Sequence, residues 1–414
     1  MFEVRNCRFS HGEVLPLLCR VPDHTPAALP LIFTVLRRRH RAVNTLRRDA
    51  QILRWLYEWG HFQFSRDLDE LIVAGEMPLV VDKLEQFAYW LRTGRVSAKV
   101  VGRIGKYKEH ESADWLHPTS FNGYLQTVKL FLTWAADRYS SASAMKPLDQ
   151  QILALKDRIR SNFDALYLSG TSVVKVKGLD EQDLHKILLM LHPSASQNPF
   201  RRNSRVRNWL IFRLFAEAGP RRGELLKLKT TDICERDDKF YIILRRVPDD
   251  LSETRAIPPA QKTLPRTVGI SEGLFLDIEQ YIQAERRPVR SGKRIRLAHQ
   301  FLFTSERGAP LSLSALNNLF SVMRSAAFEH TGTSLHPHLL RNTFCNNYLD
   351  WRVDRTNVEL ERAREELRHL CGWQSNSKMP QRYAAKWIAS QANGQNQARV
   401  QAAWNEIKDR KPLL

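Results

Sequence analysis

Helical periodicity dominates the first part of the chain. Residues 1–30 hold four prolines and show no clear period, which predicts an irregular lead-in or a small appendage. Apolar residues then recur at the spacing of an amphipathic helix that ends before Gly60: Ile52, Trp55, Leu56 and Trp59. Further helical periods follow, and no strand signal stands out before residue 170. The pattern therefore predicts an all-helical domain over residues 31–168.

The pattern changes after this domain. Residues 169–178 are short, polar and rich in Ser and Gly, which predicts a linker. Beyond it, helical periods alternate with two strand-like runs, 240–244 and 266–270. We therefore expect a mixed but mostly helical domain over 179–390, followed by a C-terminal tail helix at 391–414 that could contact another protomer. The predicted fold class is mostly α with a small β-sheet or hairpin.

Charge narrows the choice of partner. The chain of 414 residues has 64 Lys and Arg against 44 Asp and Glu, a formal charge of +20. Such a surplus favours a polyanion, with nucleic acid ahead of anionic membrane, although each cluster alone could be only a solvated face. The cations that we expect to contact a nucleic acid are Arg37, Arg38, Arg39, Arg41, Arg47, Arg48, Lys106 and Lys108.

Other sequence features limit the compartment and the chemistry. The five cysteines form no CxxC pair and no zinc spacing, and their odd number argues against a disulfide framework. No apolar run approaches the length of a membrane span, and the first residues lack the pattern of a signal peptide. We therefore expect a cytoplasmic protein, associated with the nucleoid when bound to DNA, that has no membrane partner and no metal site.

A candidate anion site lies near residue 340. Pro337 suits the first turn of a helix, and a buried stripe follows at helical spacing: Leu340, Phe344 and Tyr348. His338 and Arg341 are three residues apart, so an imidazole and a guanidinium share another face of this helix. The pair could hold an anionic oxygen. Tyr383 begins a later helix, and a tyrosine brought beside such a pair can be a nucleophile toward phosphorus.

Two further segments carry isolated charged residues. Gly219 and Pro220 end one apolar helix and start the next, on which Arg221 and Glu224 share a face. Arg222 is an alternative to Arg221 as the functional arginine. Lys262 precedes the second strand-like run and is the only lysine between Lys239 and Lys293. These residues are candidates for the same site.

In this order, the segments resemble the catalytic boxes of the tyrosine recombinase (integrase) family, and the resemblance covers most of the chain. The matching segments are Ala218-Gly219-Pro220-Arg221-Arg222-Gly223-Glu224-Leu225, His338-Leu339-Leu340-Arg341, Leu370-Cys371-Gly372-Trp373 and Tyr383. Two positions depart from the commonest pattern. Trp373 stands where the family more often has histidine, and Asn342 replaces a histidine that is frequent after the second arginine.

The resemblance implies a fold and a mechanism. The fold is a two-domain clamp in which a helical core-binding domain precedes the catalytic domain. Tyr383 attacks DNA and forms a 3′-phosphotyrosyl link that stores the bond energy, so neither ATP nor any cofactor is needed. Fixed guanidinium groups suit the pentavalent phosphorane, and proton donors and acceptors suit the two oxygens. The implied catalytic residues are Arg221, Lys262, His338, Arg341, Trp373 and Tyr383, with Glu224 in support.

The resemblance also implies an assembly, and two alternative functions remain open. Four protomers on two DNA sites would form the synapse, and integrating or excising a mobile element is the commonest role in the family. A type IB topoisomerase shares this chemistry and would relax supercoils as a monomer. A catalytically silent DNA-binding relative is the rival from another class, although such a relative would be expected to lack at least one residue of the set.

Overall fold

The structure is a computed structural model, and it describes residues 2–93, 116–139, 148–169, 177–247 and 250–408. Lys106, Lys108 and residues 170–176 of the predicted linker lie outside the described residues. The chain forms two compact units, Met1–Val173 and Val174–Leu414.

The first unit opens with a β-hairpin. Strand β1 (Phe2–Arg8) pairs antiparallel with β2 (Val14–Arg20), from Phe2 opposite Arg20 to Arg8 opposite Val14. The predicted irregular lead-in is therefore wrong, and so is the expectation that no strand precedes residue 170. Prolines hid the strands: Pro16 lies inside β2, which tolerates it because β2 has one hydrogen-bonded neighbour in a two-stranded sheet.

Helices make up the rest of the described part of this unit. They are α1 (Ala28–Phe33), a π-helical turn (Thr34–Arg38), α2 (Val43–Phe64), α3 (Leu68–Val73), α4 (Met77–Asp82), α5 (Leu84–Arg92), α6 (Pro118–Tyr139) and α7 (Leu148–Leu166). The prediction that this helix ends before Gly60 is wrong, because α2 continues to Phe64. Gly60 instead allows close packing, because a Cβ atom there would lie 2.5 Å from Cγ of Leu68.

A buried carboxylate joins the hairpin to the helices. Asp69 on α3 accepts hydrogen bonds from the Tyr57 hydroxyl at 2.6 Å and from Arg20 Nη2 at 2.7 Å. It also accepts from the backbone N–H groups of Ala28 at 2.7 Å and Leu29 at 3.3 Å, at the start of α1. Each of these four donors therefore has an acceptor in the core of the unit.

The second unit is also mostly helical. Its helices are α8 (Glu181–Leu191), α9 (Arg202–Ala218), α10 (Arg222–Lys227), α11 (Glu272–Ala284), α12 (Leu313–Thr331), α13 (Pro337–Asp350), α14 (Leu360–Cys371) and α15 (Met379–Lys408). Its strands are β3 (Ile233–Arg236), β4 (Lys239–Leu244) and β5 (Arg266–Ile270), with the short pair β6 (Val289–Arg290) and β7 (Lys293–Arg294). The prediction of a mostly α fold with a small sheet is confirmed.

The sheet and the last helices of this unit carry the candidate site. Strands β3, β4 and β5 form an antiparallel sheet in that order, and β4 and β5 cover both predicted strand-like runs. The predicted tail is not a separate element, since α15 is continuous from Met379 to Lys408. Across the described ranges, we find no helix with both the length and the apolar character needed to cross a lipid bilayer.

Candidate active site

The turn between α9 and α10 positions Arg221. Helix α9 ends at Gly219, which has φ +55°, and a Cβ atom there would collide with the Phe344 ring. Glycine is therefore required at this position for both its backbone conformation and its packing. Arg221 follows at the start of α10, where its backbone N–H donates to Oε2 of Glu224 at 2.7 Å.

The Arg221 side chain has one buried hydrogen-bond donor that is not paired with an acceptor in the described part of the chain. Its Nη1 atom is buried and has no hydrogen-bond acceptor among the described residues. Burial lowers the pKa of Arg221 to about 10, and the positive charge of Arg341 acts in the same direction. Arg221 and Arg341 are thus close enough to repel each other, and an anion between them would relieve this cost.

Arg341 ties three segments of the site together. The residue is 2% exposed. Its Nη1 donates to the carbonyl of Gly219, and its Nη2 donates to the carbonyl of Cys371 at 2.9 Å. Its guanidinium also lies 5.5 Å from the centre of the Trp373 ring. Three of the segments that resemble the family, 218–225, 338–341 and 370–373, therefore meet at the Arg341 side chain.

The sequence analysis missed the partner of Glu224. Arg266, the first residue of β5, makes a bidentate pair with Glu224, at 3.0 Å for each nitrogen, and its Nε donates to the carbonyl of Leu370. Burial alone would raise the pKa of Glu224, but the Arg266 guanidinium outweighs it and the pKa is lowered. The sequence did contain a signal. Arg266 and Val268 are two residues apart on a predicted strand, so their side chains point to the same face. A cation that points into the core with Val268 needs a buried carboxylate as its partner.

His338 lies on the exposed side of α13, one turn before Arg341. The protein around the ring lowers its pKa by desolvation, and the positive charge of Arg341 adds to this effect. The imidazole is therefore neutral near pH 7 and can accept a proton. His336 has a different task, because its Nδ1 accepts from the backbone N–H of Leu339 at 3.0 Å and caps the helix.

Trp373 follows Gly372, at a position where any side chain would clash with a neighbouring segment. Gly372 ends α14 with φ +60°, and a Cβ atom there would lie 2.7 Å from the carbonyl oxygen of Leu264. Trp373 is buried, and its indole Nε1 has no acceptor among the described residues. Since an indole nitrogen can only donate, this group is free to bind an acceptor that none of the described residues supplies.

Tyr383 stacks on Trp373, with ring centres 5.6 Å apart and planes 19° from parallel. The tyrosine is 1% exposed, and its hydroxyl donates to Oδ1 of Asn342 at 2.6 Å. Burial raises the pKa of Tyr383, and the neighbouring Cys345 and Cys371 raise it further. The predicted nucleophile is therefore held beside Arg341 as a protonated phenol.

Two cysteines beside Tyr383 were not predicted to meet. Cys345 on α13 and Cys371 on α14 are free thiols whose sulfur atoms are 3.4 Å apart. They are 26 residues apart in the chain. The sequence holds no signal for this contact, because it depends on how the two helices pack.

The Lys262 segment runs between two boxes of the site. Ala260 packs directly over Gly223 on α10, and the backbone N–H of Leu264 donates to the carbonyl of Gly372 at 2.9 Å. Lys262 lies between these contacts with an exposed side chain. Within the described ranges, no hydrogen bond joins Lys262 to the other predicted catalytic residues.

In the first unit, the predicted DNA-binding arginines differ in their surroundings. Arg38 pairs with buried Asp49 through two hydrogen bonds of 2.9 and 2.7 Å, and Arg39 pairs with Glu13 at 2.8 and 2.6 Å. The Arg38 pair is largely buried, whereas the Arg39 pair is at the surface, where such pairs contribute little to stability. The cations with exposed side chains and no carboxylate partner within the described residues are Arg37, Arg41 and Arg48. Arg47 is partly buried, and its Nη1 lacks an acceptor there.

Comparisons with solved structures return recombinases. The chain is 17% identical to the crystal structure of XerA recombinase, over 88% of this chain and 96% of that one, with a TM-score of 0.35. It is 14% identical to Tn1549 transposon integrase in complex with circular intermediate DNA, over 82% and 99%, with a TM-score of 0.43. It is also 14% identical to a lambda integrase dimer bound to a COC′ core site, over 92% and 94%, with a TM-score of 0.35.

A comparison with curated proteins finds no significant match. The family model described as "Phage integrase family" matches residues 177–387, which are more than half of the chain and include all six predicted catalytic residues. The chain therefore belongs to the phage integrase family, as the resemblance of its boxes to tyrosine recombinases predicted.

Proposed function

We propose that this protein is a site-specific DNA recombinase that uses Tyr383 to cleave and rejoin DNA strands through a 3′-phosphotyrosyl intermediate. One observation carries the proposal. Two donors that are buried without acceptors among the described residues, Arg221 Nη1 and Trp373 Nε1, both belong to neighbours of Arg341, and Trp373 stacks on buried Tyr383. Membership of the family makes the chain a DNA breaking and rejoining enzyme, and favours this function over a type IB topoisomerase.

A phosphodiester supplies what these donors lack. A buried donor without an acceptor costs about 1–3 kcal/mol, and the non-bridging oxygens of a phosphate would remove that cost. The phosphorane formed on attack carries more negative charge than the diester. Fixed donors therefore bind the transition state more tightly than the ground state, which is the condition for catalysis.

The reaction needs two proton transfers. As the Tyr383 oxygen forms its bond to phosphorus, its proton passes to neutral His338, whose lowered pKa suits an acceptor. The bond from phosphorus to the 5′ oxygen breaks, and that oxygen takes a proton from Lys262. Attack by a 5′ hydroxyl of another strand reverses these steps. No bond energy is lost to water, so rejoining needs no ATP.

Double-stranded DNA is the partner, and the first unit is proposed to bind its backbone through Arg37, Arg41 and Arg48. We further propose that four protomers assemble on two DNA sites. Residues 392–405 of α15 are exposed, and they include Val400 and Trp404, which are one helical turn apart. This stripe supports the proposal that the tail helix contacts another protomer. Integration or excision of a mobile element is the proposed role.

A covalent trap tests the function. The protein is incubated with nicked duplexes that carry the end sequences of its element, with a chelator present, and is then denatured. We expect a protein–DNA adduct that maps to Tyr383 on a 3′ phosphate. Y383F should bind the same DNA without forming the adduct. Tyr348, whose hydroxyl donates to Glu366 at 2.8 Å, provides the matched control, and Y348F should still form the adduct. Binding without any adduct would favour the silent relative.

A further inference from the structure

The amide of Asn342 joins the predicted nucleophile to the first described segment of the second unit. Asn342 on α13 is 4% exposed. Its Nδ2 donates to the backbone carbonyl of Lys177 at 3.0 Å, and its Oδ1 accepts from the Tyr383 hydroxyl at 2.6 Å. Both ends of this buried side chain are therefore engaged.

The carbonyl of Lys177 determines which way the amide points. A carbonyl oxygen can only accept a hydrogen bond, so it selects the Nδ2 end of Asn342. The Oδ1 end must then face Tyr383, and an amide oxygen can only accept. The tyrosine hydroxyl is consequently the donor, which requires it to be protonated.

The Lys177 segment is itself fixed to α13. The backbone N–H of Leu179 donates to the Thr343 hydroxyl at 2.8 Å. Gly178 packs so closely that a Cβ atom there would lie 2.6 Å from the Asn346 amide nitrogen and 3.0 Å from the Thr343 Cα. These contacts hold the Lys177 carbonyl in place, and so they also hold the orientation of the Asn342 amide.

We propose that Asn342 is a positioning residue that holds Tyr383 in reserve, protonated and turned toward α13, until the tyrosine leaves it to attack. The inference rests on the proposed function of Tyr383 as nucleophile. An amide oxygen does not take up a proton near neutral pH, so Asn342 cannot act as the base. A hydrogen bond of this kind favours the neutral phenol over the phenolate.

Of the other groups that face Tyr383, Cys345 also has a side-chain hydrogen bond with its hydroxyl, but a thiol sulfur is a weaker acceptor than an amide oxygen. Arg341 and Cys345 face it from α13, and Cys371 faces it from α14. Arg341 favours the phenolate, whereas the two thiols in their ionised forms oppose it. The Trp373 ring covers one face of the tyrosine. Loss of the Asn342 acceptor therefore removes one group that holds the neutral phenol and keeps Arg341, which favours the phenolate.

The test compares rates of adduct formation in a single turnover on nicked duplex that is already bound. N342A removes the acceptor, and we expect the adduct to form about 5-fold faster. N342D keeps an acceptor of the same size but adds a negative charge and loses the donor to Lys177, so we expect a rate about 10-fold slower. N347A, at an exposed position of the same helix, is the matched control and should match the wild type. DNA affinity should not change in any variant.

A second readout does not depend on cleavage. The ten tyrosines are replaced by 3-fluorotyrosine, whose phenol ionises at lower pH, and Y383F identifies the Tyr383 signal by ¹⁹F NMR. We expect this signal to titrate at lower pH in N342A than in the wild type, and at higher pH in N342D. Absence of any wild-type adduct would remove the proposed function, and this titration would still test the hydrogen bond.

The proposal is overturned if N342A slows cleavage while its melting temperature stays near that of the wild type. It is also overturned if N342A and N342D change the rate in the same direction, or if neither changes the titration of Tyr383. If N342A does not fold, N342D decides: a slower rate with a higher titration point supports the proposal, and a wild-type or faster rate overturns it.

Discussion

Two buried polar clusters in this chain differ in whether their hydrogen-bond donors have acceptors. Around Asp69 in the first unit, a carboxylate accepts from four donors, each at a normal hydrogen-bond distance. Around Arg341 in the second unit, Arg221 and Trp373 each keep a buried donor without an acceptor among the described residues. Both clusters are buried, and both contain arginine. Only the second has unused donors.

The difference separates stability from binding. A paired buried ion stabilises the fold only as long as its partners remain, whereas an unpaired buried donor costs free energy that a ligand can return. A protein that keeps several such donors together is less stable than it could be, and in exchange is prepared for an anion. Substitutions in the first cluster should therefore affect unfolding, and those in the second should affect catalysis.

Asp69→Asn should have the largest effect on folding. The substitution removes the charge that pairs with Arg20 and places an amide where four donors converge. We expect the free energy of unfolding of the first unit to fall by about 3–5 kcal/mol. Guanidinium unfolding of the full chain measures this, with Glu70→Gln at the neighbouring exposed position as the control. Equal stability of the two variants would contradict a structural role for the cluster.

Arg221→Ala should have the opposite profile. Removing one fixed donor to the developing charge costs about 10²- to 10³-fold in the rate of adduct formation. The free energy of unfolding should not fall, because Nη1 makes no hydrogen bond within the described protein and its removal ends the cost of about 1–3 kcal/mol of an unpaired buried donor. Arg222→Ala is the control, since Arg222 is exposed and its Nη1 donates to Asn317 at 2.8 Å. An equal loss of rate in that variant would make Arg222 the functional arginine.

Trp373→Phe tests a single donor. The phenyl ring keeps the stack on Tyr383 but lacks the N–H, and a hydrogen bond to a charged group contributes about 1.5–3 kcal/mol. We expect adduct formation to slow about 10- to 100-fold. Trp387 sharpens the test, because its Nε1 is also buried without an acceptor in the described structure, yet it lies outside the predicted site. If Trp387→Phe slowed the reaction equally, an unused donor would not by itself indicate the site.

Local features of the sequence mark the segments that form the second cluster, but not those that form the first. The turn at Gly219 and the helix start at Pro337 need only a few adjacent residues, so their signals survive in the sequence. The β-hairpin was missed because prolines interrupt the strand pattern. The Asp69 cluster was missed because its partners come from β2, α1 and α2, which only tertiary packing brings together.

The same limit applies inside the site. The resemblance to the family predicted Arg221, His338, Arg341, Trp373 and Tyr383 as site residues, but not the residues that contact them. Arg266 reaches Glu224 across 42 residues, and Asn342 reaches Lys177 across 165. Asn342 was visible only as a departure from the family pattern. Its physical meaning required the distance to Tyr383.

The surface of the first unit offers a smaller test of the comparison. Replacing Arg37, Arg41 and Arg48 with alanine should weaken DNA binding and make it less sensitive to salt, with the slope falling by about 0.9 for each phosphate that is no longer neutralised. Folding should be unaffected. Arg38→Ala should behave differently, because it leaves Asp49 buried without its partner, and should lower the free energy of unfolding. An unchanged salt slope in the triple variant would place the DNA-binding surface elsewhere.

The smallest effect is expected at a partly exposed ion pair of the second unit. Glu366 on α14 accepts from Arg352 at 2.7 Å through each oxygen, and these bonds lower its pKa from 4.5 to about 2. Because the pKa in the folded state is below that in the unfolded state, the stabilisation is complete above about pH 4.5 and is lost as pH falls through about 2.

Glu366→Gln should therefore be about 1 kcal/mol less stable than the wild type at pH 7, since solvent screening keeps such pairs weak. The difference should shrink in acid unfolding experiments and vanish near pH 2. A difference that stayed constant with pH would mean that the charge of Glu366 contributes nothing, and that its effect on stability comes from packing alone.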